Sequence, residues 1–521
     1  RFATLVVAAA LPATTSSRAA AVVAAIAPVS VASPWSRCLC LVLVLLQATG
    51  VQAQMTDVFS TSWTTECSGN SASWAEVCGA ENTTVTFTAG HGSASAVVLA
   101  DIAQVSQTVV HETTDLRLKI SQVDHPHDTT YVGFSSVRCR ETTACAVPML
   151  HGVVSNLTPG KHTATLEYKT NSATAYFRGY GTSALAAGGT AIARRVSVQI
   201  AHDDAVVAAS WNSPGSGNSV DWAELPGGSQ LNVRRDDSAA GSALVLAKLP
   251  DVWTDAGDVN VEFRIVVDGA PVGFANSGGC DPGQPCPAIS LHGLATQLSQ
   301  HWDPAPSTYY PLGDFNASVQ YRVPSADTVY FGQPAQGDGW EPPPRQLTAF
   351  LPSEEEESTL SWSGDSMSLT STSWAPLPTP MSLTFDLLSS GTSPALVLAS
   401  LSRVQTAEAS TVIELQIVVD GVEVAFWQSS SLENYAFTSP TMHGVASGLS
   451  SGSHTAEVRY RVPHGGTIYL THDTGIEQHR QLTVLRNNPG PSPPPPAQPL
   501  DPPPASPSPL APPPSPSPPG L

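Results

Sequence analysis

The chain runs three times through one ordered series of cues, and this repetition limits its fold more than any single residue does. Each pass opens on a tryptophan pair: Trp63 and Trp74, then Trp211 and Trp222, then Trp362 and Trp374. An apolar segment follows at Ala96–Ile102, Ala243–Leu249 and Ala395–Leu401. Next come Leu150-His151-Gly152, Leu291-His292-Gly293 and Met442-His443-Gly444, and each pass closes on a segment starting at Arg194, Arg345 or Arg480. A period of about 150 residues is the length of a whole domain and too long for a solenoid unit, so the reading is tandem domains.

Periodicity sets the class. Val261–Val267 and Ile413–Val419 alternate apolar with polar residues and run into Asp268-Gly269 and Asp420-Gly421, the dipeptides of tight hairpins. The first copy replaces that turn with the longer loop Asp124–Asp128. Later strands alternate in the same way at His162–Tyr168, Phe315–Tyr321 and His454–Tyr460. No amphipathic helix of about ten residues is legible outside the leader. The expectation is an all-β chain of three tandem antiparallel β-sandwiches of jelly-roll type, followed by a disordered or polyproline II tail. Composition shifts place the domains at 57–204, 205–352 and 358–487, with an acidic linker at 353–357 and the tail at 488–521.

Residues 1–53 read as a leader with a secretory signal: basic Arg37, the apolar run Cys38–Leu46 and a small-x-small site at Val51-Gln52-Ala53. The run is short for a bilayer span, so a membrane contact is expected only through an uncleaved N-terminal segment. An organellar transit peptide is the alternative for the Ala-rich stretch upstream. The formal net charge is −20, and the first 53 residues hold three arginines and no acid, leaving −23 on the remainder. That excess of acid excludes nucleic acid as an expected partner.

Six cysteines follow the signal. Cys139 and Cys145 are spaced like Cys280 and Cys286, and in both copies the second cysteine lies six residues before the repeated histidine. This recurrence predicts the pairs 139–145 and 280–286 and leaves Cys67 with Cys78. The third copy has no such pair. A zinc site is disfavoured, because the spacing is not that of cysteine knuckles and one histidine stands near.

The C-terminal tail carries Pro493–Pro496, Pro502–Pro504 and Ser-Pro repeats up to Pro519. It cannot build a core and favours an extended polyproline II rod. In composition it resembles the hydroxyproline-rich glycoproteins of plant and green-algal cell walls, the extensin and pherophorin group. The resemblance covers the tail alone. It implies prolyl hydroxylation, O-linked sugar and residence in a wall or matrix. The sequons at Asn82, Asn156 and Asn316 agree with an exported glycoprotein.

Sites come from the departures between copies. The insertion in the second copy offers Trp302, Tyr309 and Tyr310 as ligand contacts. Asp124, His125, His127 and Asp128 form the best local metal candidate of the first copy. The tryptophan pairs serve either core packing or stacking on sugar rings, the former being favoured. Glu76 and Glu224 recur two residues after Trp74 and Trp222, but Pro376 stands there in the third copy. The repeated histidines have no acid at a common offset and no nucleophile beside them, so they read as structural groups at strand-to-turn junctions, and no catalytic residue or cofactor is expected. The functional expectation is a secreted extracellular matrix or cell-wall structural or adhesive glycoprotein, not an enzyme, whose partners are wall or matrix polysaccharides and glycoproteins. The alternative is a carbohydrate-binding protein or glycan-active enzyme built on jelly-roll modules.

Overall fold

A computed structural model describes most residues between 57 and 486; it leaves undescribed 1–56, 487–521, the internal stretches 80–82, 91–93, 139–146, 179–193, 234–240, 281–285, 299–313, 333–343, 353–356, 363–366, 389–391, 431–436 and 471–479, and several stretches of one or two residues. The leader, the Pro-rich tail, Asn82, Cys139, Cys145, Trp302, Tyr309 and Tyr310 therefore lie outside the described residues.

The chain is all-β, with its sheets in three successive groups. In the first, eight main strands run Asp57–Trp63, Thr84–Ala89, Ala94–Asp101, Thr113–Gln122, Thr129–Arg138, Leu150–Leu157, Gly160–Thr170 and Arg194–His202. The first, eighth, third and sixth make one sheet, and the second, seventh, fourth and fifth make the other. That order is the jelly roll, in which the chain alternates between two facing sheets. The second group, Val206–Phe350, and the third, Glu357–Arg486, repeat it strand for strand. Glu357, assigned to the acidic linker from its charge, is instead the first residue of an edge strand and pairs with Leu485. Backbone pairing to a neighbouring strand outweighs the charge of a single terminal residue.

The hairpins follow from turn chemistry. Asp268 and Gly269 have φ of 48° and 81°, and Asp420 and Gly421 have 50° and 80°. Two successive left-handed residues make the turn that matches strand twist, and Asp-Gly is a pair that enters it cheaply. Cys67 is bonded to Cys78 and Cys280 to Cys286, each linking neighbouring segments of one jelly roll.

Every residue of Ala94–Asp101 and Gly241–Leu249 is buried, unlike the half-exposed strands of an ordinary sandwich. Ala96, Val98 and Ala100 face the core of the first jelly roll. The alternate residues Val97 and Leu99 join Leu244, Leu246, Leu396 and Leu398 from the other two in a separate apolar cluster. Met149, Val206, Leu294, Phe350 and Leu485 belong to it as well. The four-stranded sheets of all three jelly rolls thus pack their outer faces on one another around a shared fourth core. A sheet buried on both faces needs apolar residues at consecutive positions, which is why the repeated Ala-rich cue opens with five apolar residues in a row.

Polar contacts follow the same cyclic order. Thr441 donates to Ser290 O at 2.7 Å, and Ser290 donates to Met149 O at 2.6 Å. These three residues occupy one position of the repeat, immediately before Met442, Leu291 and Leu150.

Candidate functional site

The repeated histidines lie inside strands, with His151 paired opposite Leu99, His292 opposite Leu246 and His443 opposite Leu398. All three are buried. The expected strand-to-turn junction is corrected by this placement: the imidazoles sit on the sheet face that meets the next jelly roll. The following glycines have a different task. A Cβ on Gly293 would stand 2.5 Å from Val272 O, and one on Gly273 would stand 2.5 Å from His292 O. The two sheets of each jelly roll cross there with backbone against backbone, and side chains are excluded.

The three histidines meet unlike partners. The His443 amide donates to Asp101 Oδ2 at 2.9 Å, its Nδ1 lies 3.3 Å from the same oxygen, and its Nε2 is 3.2 Å from Ser197 Oγ. Asp101 and Ser197 belong to the first jelly roll, so this contact joins the third to the first. Asp101 stands at the repeat position held by Lys248 in the second copy and Ser400 in the third, all three buried. In His151 and His292 both ring nitrogens are buried without a hydrogen-bond partner. Burial pushes the pKa of each down to about 3, with the Lys248 charge adding to the effect on His151. Held neutral and enclosed between jelly rolls, these imidazoles have no reach to an outside substrate.

Between the second and third jelly rolls, Gln481 spans the junction. With its amide oriented to suit both ends, it donates to His292 O and Val272 O at 3.2 Å and accepts from Leu294 N at 2.9 Å. Between the third and first, Arg195 occupies the matching position. Burial lowers its pKa, while Asp101 and Glu423 work against that shift. Burial raises the carboxyls of Glu414 and Glu423 to about 7, against the opposing pull of Arg461.

The second tryptophan of each pair stands on the outer five-stranded sheet. Trp74 contacts Phe134 edge-on at 6.4 Å, Trp222 contacts Phe274 at 6.1 Å, and Trp374 contacts Phe426 at 6.1 Å. An arginine lies over each indole: Arg117 at 4.1 Å, Arg264 at 4.4 Å and Arg461 at 4.6 Å from the ring centroid. In the first jelly roll Arg117 is also 3.6 Å from the Tyr131 ring and bound to Glu167 at 2.7 and 2.8 Å. Trp74, Arg117 and Tyr131 form a stack whose last ring is 42% exposed, enough for its face to meet a ligand. Trp63 is buried, with the Arg194 guanidinium 5.6 Å from its ring centroid.

Asp124, His125, His127 and Asp128 are exposed around one hairpin turn, where Asp128 N donates to His125 O at 2.9 Å. The turn spreads them, and among the described residues no group of three or more His, Cys, Asp or Glu is placed to hold a metal. Glu224, far from offering a free carboxylate, accepts from Gln320 at 2.9 Å and Ser318 at 3.1 Å. Asn156 and Asn316 are exposed, as an acceptor asparagine must be. Sequence reading missed Arg117, Lys248 and Asp101. For Asp101 and Lys248 the signal was the sixth residue of the apolar cue, Asp, Lys or Ser, where the repeat breaks an apolar run.

No family model matches the chain, and no curated protein matches it. Among solved structures, dimeric latent PorU from Porphyromonas gingivalis is similar over 48% of this chain and 25% of its own, at 11% identity and a TM-score of 0.17. The chain thus spans about a quarter of that protein. The tandem CBM51 modules of Sp3GH98, a family 98 glycoside hydrolase from Streptococcus pneumoniae, align over 54% of this chain and 93% of theirs, at 9% identity and a TM-score of 0.14. PNGF-II aligns over 72% and 98%, at 9% identity and a TM-score of 0.20. At these values the likenesses carry no argument about activity.

Proposed function

We propose that the chain is a secreted extracellular matrix or cell-wall glycoprotein with a structural or adhesive role and no catalytic activity. One observation carries this reading: the chain's most repeated residues, three histidines and three apolar strands, are spent on welding three jelly rolls around a common core. A rigid head of this kind suits a scaffold, since its outer sheets are held in fixed relative orientation. The disulfides Cys67–Cys78 and Cys280–Cys286 suit an oxidising compartment. Among the described residues no helix is long and apolar enough to cross a membrane. The Pro-rich tail supplies a tether to wall polysaccharide or glycoprotein. Expression of the full chain with an internal tag in a walled, secreting cell tests this. Retention in the wall fraction that falls when residues 488–521 are removed supports the proposal, and recovery from the cytosol defeats it.

The stack of Trp74, Arg117 and Tyr131 favours a second reading, in which the head itself grips a polysaccharide through an aromatic face. Affinity electrophoresis through gels containing wall polysaccharides distinguishes the two. Retardation that is abolished by Tyr131→Ala would assign the grip to the head, and none at all would leave it to the tail.

A further inference from the structure

Among the described residues Lys248 has no acidic partner, where its counterpart Asp101 supplies the acid itself. At the junction of the third and first jelly rolls, Asp101 accepts from the His443 amide and lies 3.3 Å from its Nδ1, and Ser197 meets its Nε2. At the junction of the first and second, the same three repeat positions are held by Lys248, Thr348 and His151. The register confirms the match, since Ser197 pairs with Leu99 and Thr348 with Leu246. The strand Leu150–Leu157 packs on both Gly241–Leu249 and Arg345–Phe350, so the three residues share one junction. All are buried, and Lys248 Nζ, Thr348 Oγ1 and both His151 ring nitrogens have no hydrogen-bond partner. Among the described residues no carboxylate is placed on Lys248, and burial lowers its pKa well below the ordinary lysine value, a shift that a bound anion would oppose. The junction holds three groups able to donate and lacks an acceptor of negative charge.

We propose that Lys248, Thr348 and His151 form an internal site for one small inorganic anion of the halide class, which takes at this junction the place that the Asp101 carboxylate fills at the other. An isolated buried ammonium is costly, and a bound anion restores the pairing that buried charges require. Sites that bind only the folded state stabilise it by mass action, which makes the occupant measurable.

The test melts the full chain at fixed ionic strength while chloride replaces a bulky organic anion. For a unit of this size the midpoint rises by about 1.5 °C for each tenfold of chloride above its dissociation constant. Lys248→Met, which exchanges the cation for an apolar side chain of similar length, loses that dependence. A midpoint insensitive to chloride, or an equal response in Lys248→Met, overturns the proposal. Should the variant fail to fold, crystals of the unaltered chain grown in bromide decide the matter. An anomalous peak within hydrogen-bonding range of Lys248 Nζ sustains the site, and its absence removes it.

Discussion

His443 and Asp101, 342 residues apart, meet through both the backbone and the ring of the histidine: the amide donates to Asp101 Oδ2 at 2.9 Å, and Nδ1 stands 3.3 Å from the same oxygen. Short connections already tie the first jelly roll to the second and the second to the third, ending at His202 and Val206 and at Phe350 and Glu357. The junction of third and first has no such connection in sequence, and it is here that the charged groups Asp101, Arg195 and Glu423 gather. Asp101→Ala leaves a buried amide without its acceptor and removes one of the two carboxylates that act on Arg195. The expected cost is about 3 kcal/mol in urea unfolding. A loss below about 1 kcal/mol would mean that the contact does not hold the junction.

The shared core predicts coupling between the jelly rolls. Leu398 is fully buried in it and lies in the third jelly roll. Leu398→Ala should cost about 3–5 kcal/mol. Amide hydrogen exchange should also quicken in Ala94–Asp101 and Gly241–Leu249, which belong to the other two. Leu118→Ala, in the first jelly roll's own core, gives the comparison, with its exchange changes centred on the first. Exchange confined to the third jelly roll in Leu398→Ala would refute the coupling.

Where sheets cross backbone to backbone, a methyl group has nowhere to go. Gly293→Ala would put its Cβ 2.5 Å from Val272 O and 2.6 Å from Val272 C. Neither atom can swing aside as a side chain can, so a loss of at least about 2 kcal/mol is expected by thermal or urea unfolding. Gly90→Ala, with nothing within 4 Å of its Cβ, should be close to neutral. Equal effects of the two would contradict the crossing.

The sequence was most legible where the physics is local. Asp268-Gly269 announces its turn, because two residues fix the geometry, and the alternation of His454–Tyr460 announces a strand, because burial on one face has period two. The run Ala94–Asp101 declares that both faces are buried, yet says nothing of what covers the second. Lys248 is visible as a break in the repeat, but its meaning depends on a register between strands of different jelly rolls. Arg117 gave no signal at all, since only the fold brings Trp74 and Tyr131 to its two faces.

His292 makes stability depend on pH with a definite sign. Its folded pKa of about 3 lies below the ordinary 6.5 because burial disfavours the cation. Below pH 6.5 the unfolded chain gains a proton that the folded chain refuses. The stability it contributes is complete above pH 6.5 and is lost as pH falls toward 3, at roughly 1.4 kcal/mol per unit. Glu414 and Glu423, raised to about 7, act oppositely: their contribution is complete below pH 4.5 and is lost as pH rises through 7. Urea unfolding over a pH series should show His292→Leu flattening the acid limb and Glu423→Gln flattening the limb between 4.5 and 7. An unchanged acid limb in His292→Leu would show that the imidazole is not held neutral.

The ring of His454 faces acceptors at both nitrogens, Asp420 Oδ2 at 2.6 Å from Nδ1 and Ser450 O at 2.7 Å from Nε2. Both nitrogens therefore carry protons, and the pKa is raised, chiefly by the bond to Asp420. A raised base contributes stability below its unfolded pKa of about 6.5, and that contribution is lost as pH climbs through the folded value. Asp420→Asn isolates this charge effect. Asparagine accepts the left-handed turn conformation at φ of 50° as readily as aspartate, and its carbonyl can still take the 2.9 Å bond from Thr455 N. Because the Asp420 side chain is 45% exposed, solvent screening holds the cost below about 1 kcal/mol. The cost should be larger at pH 6 than at pH 8, and the His454 titration followed by NMR should move to lower pH. A titration that stays in place would assign the raised pKa to the Ser450 carbonyl, and the hairpin would then be held by its backbone alone.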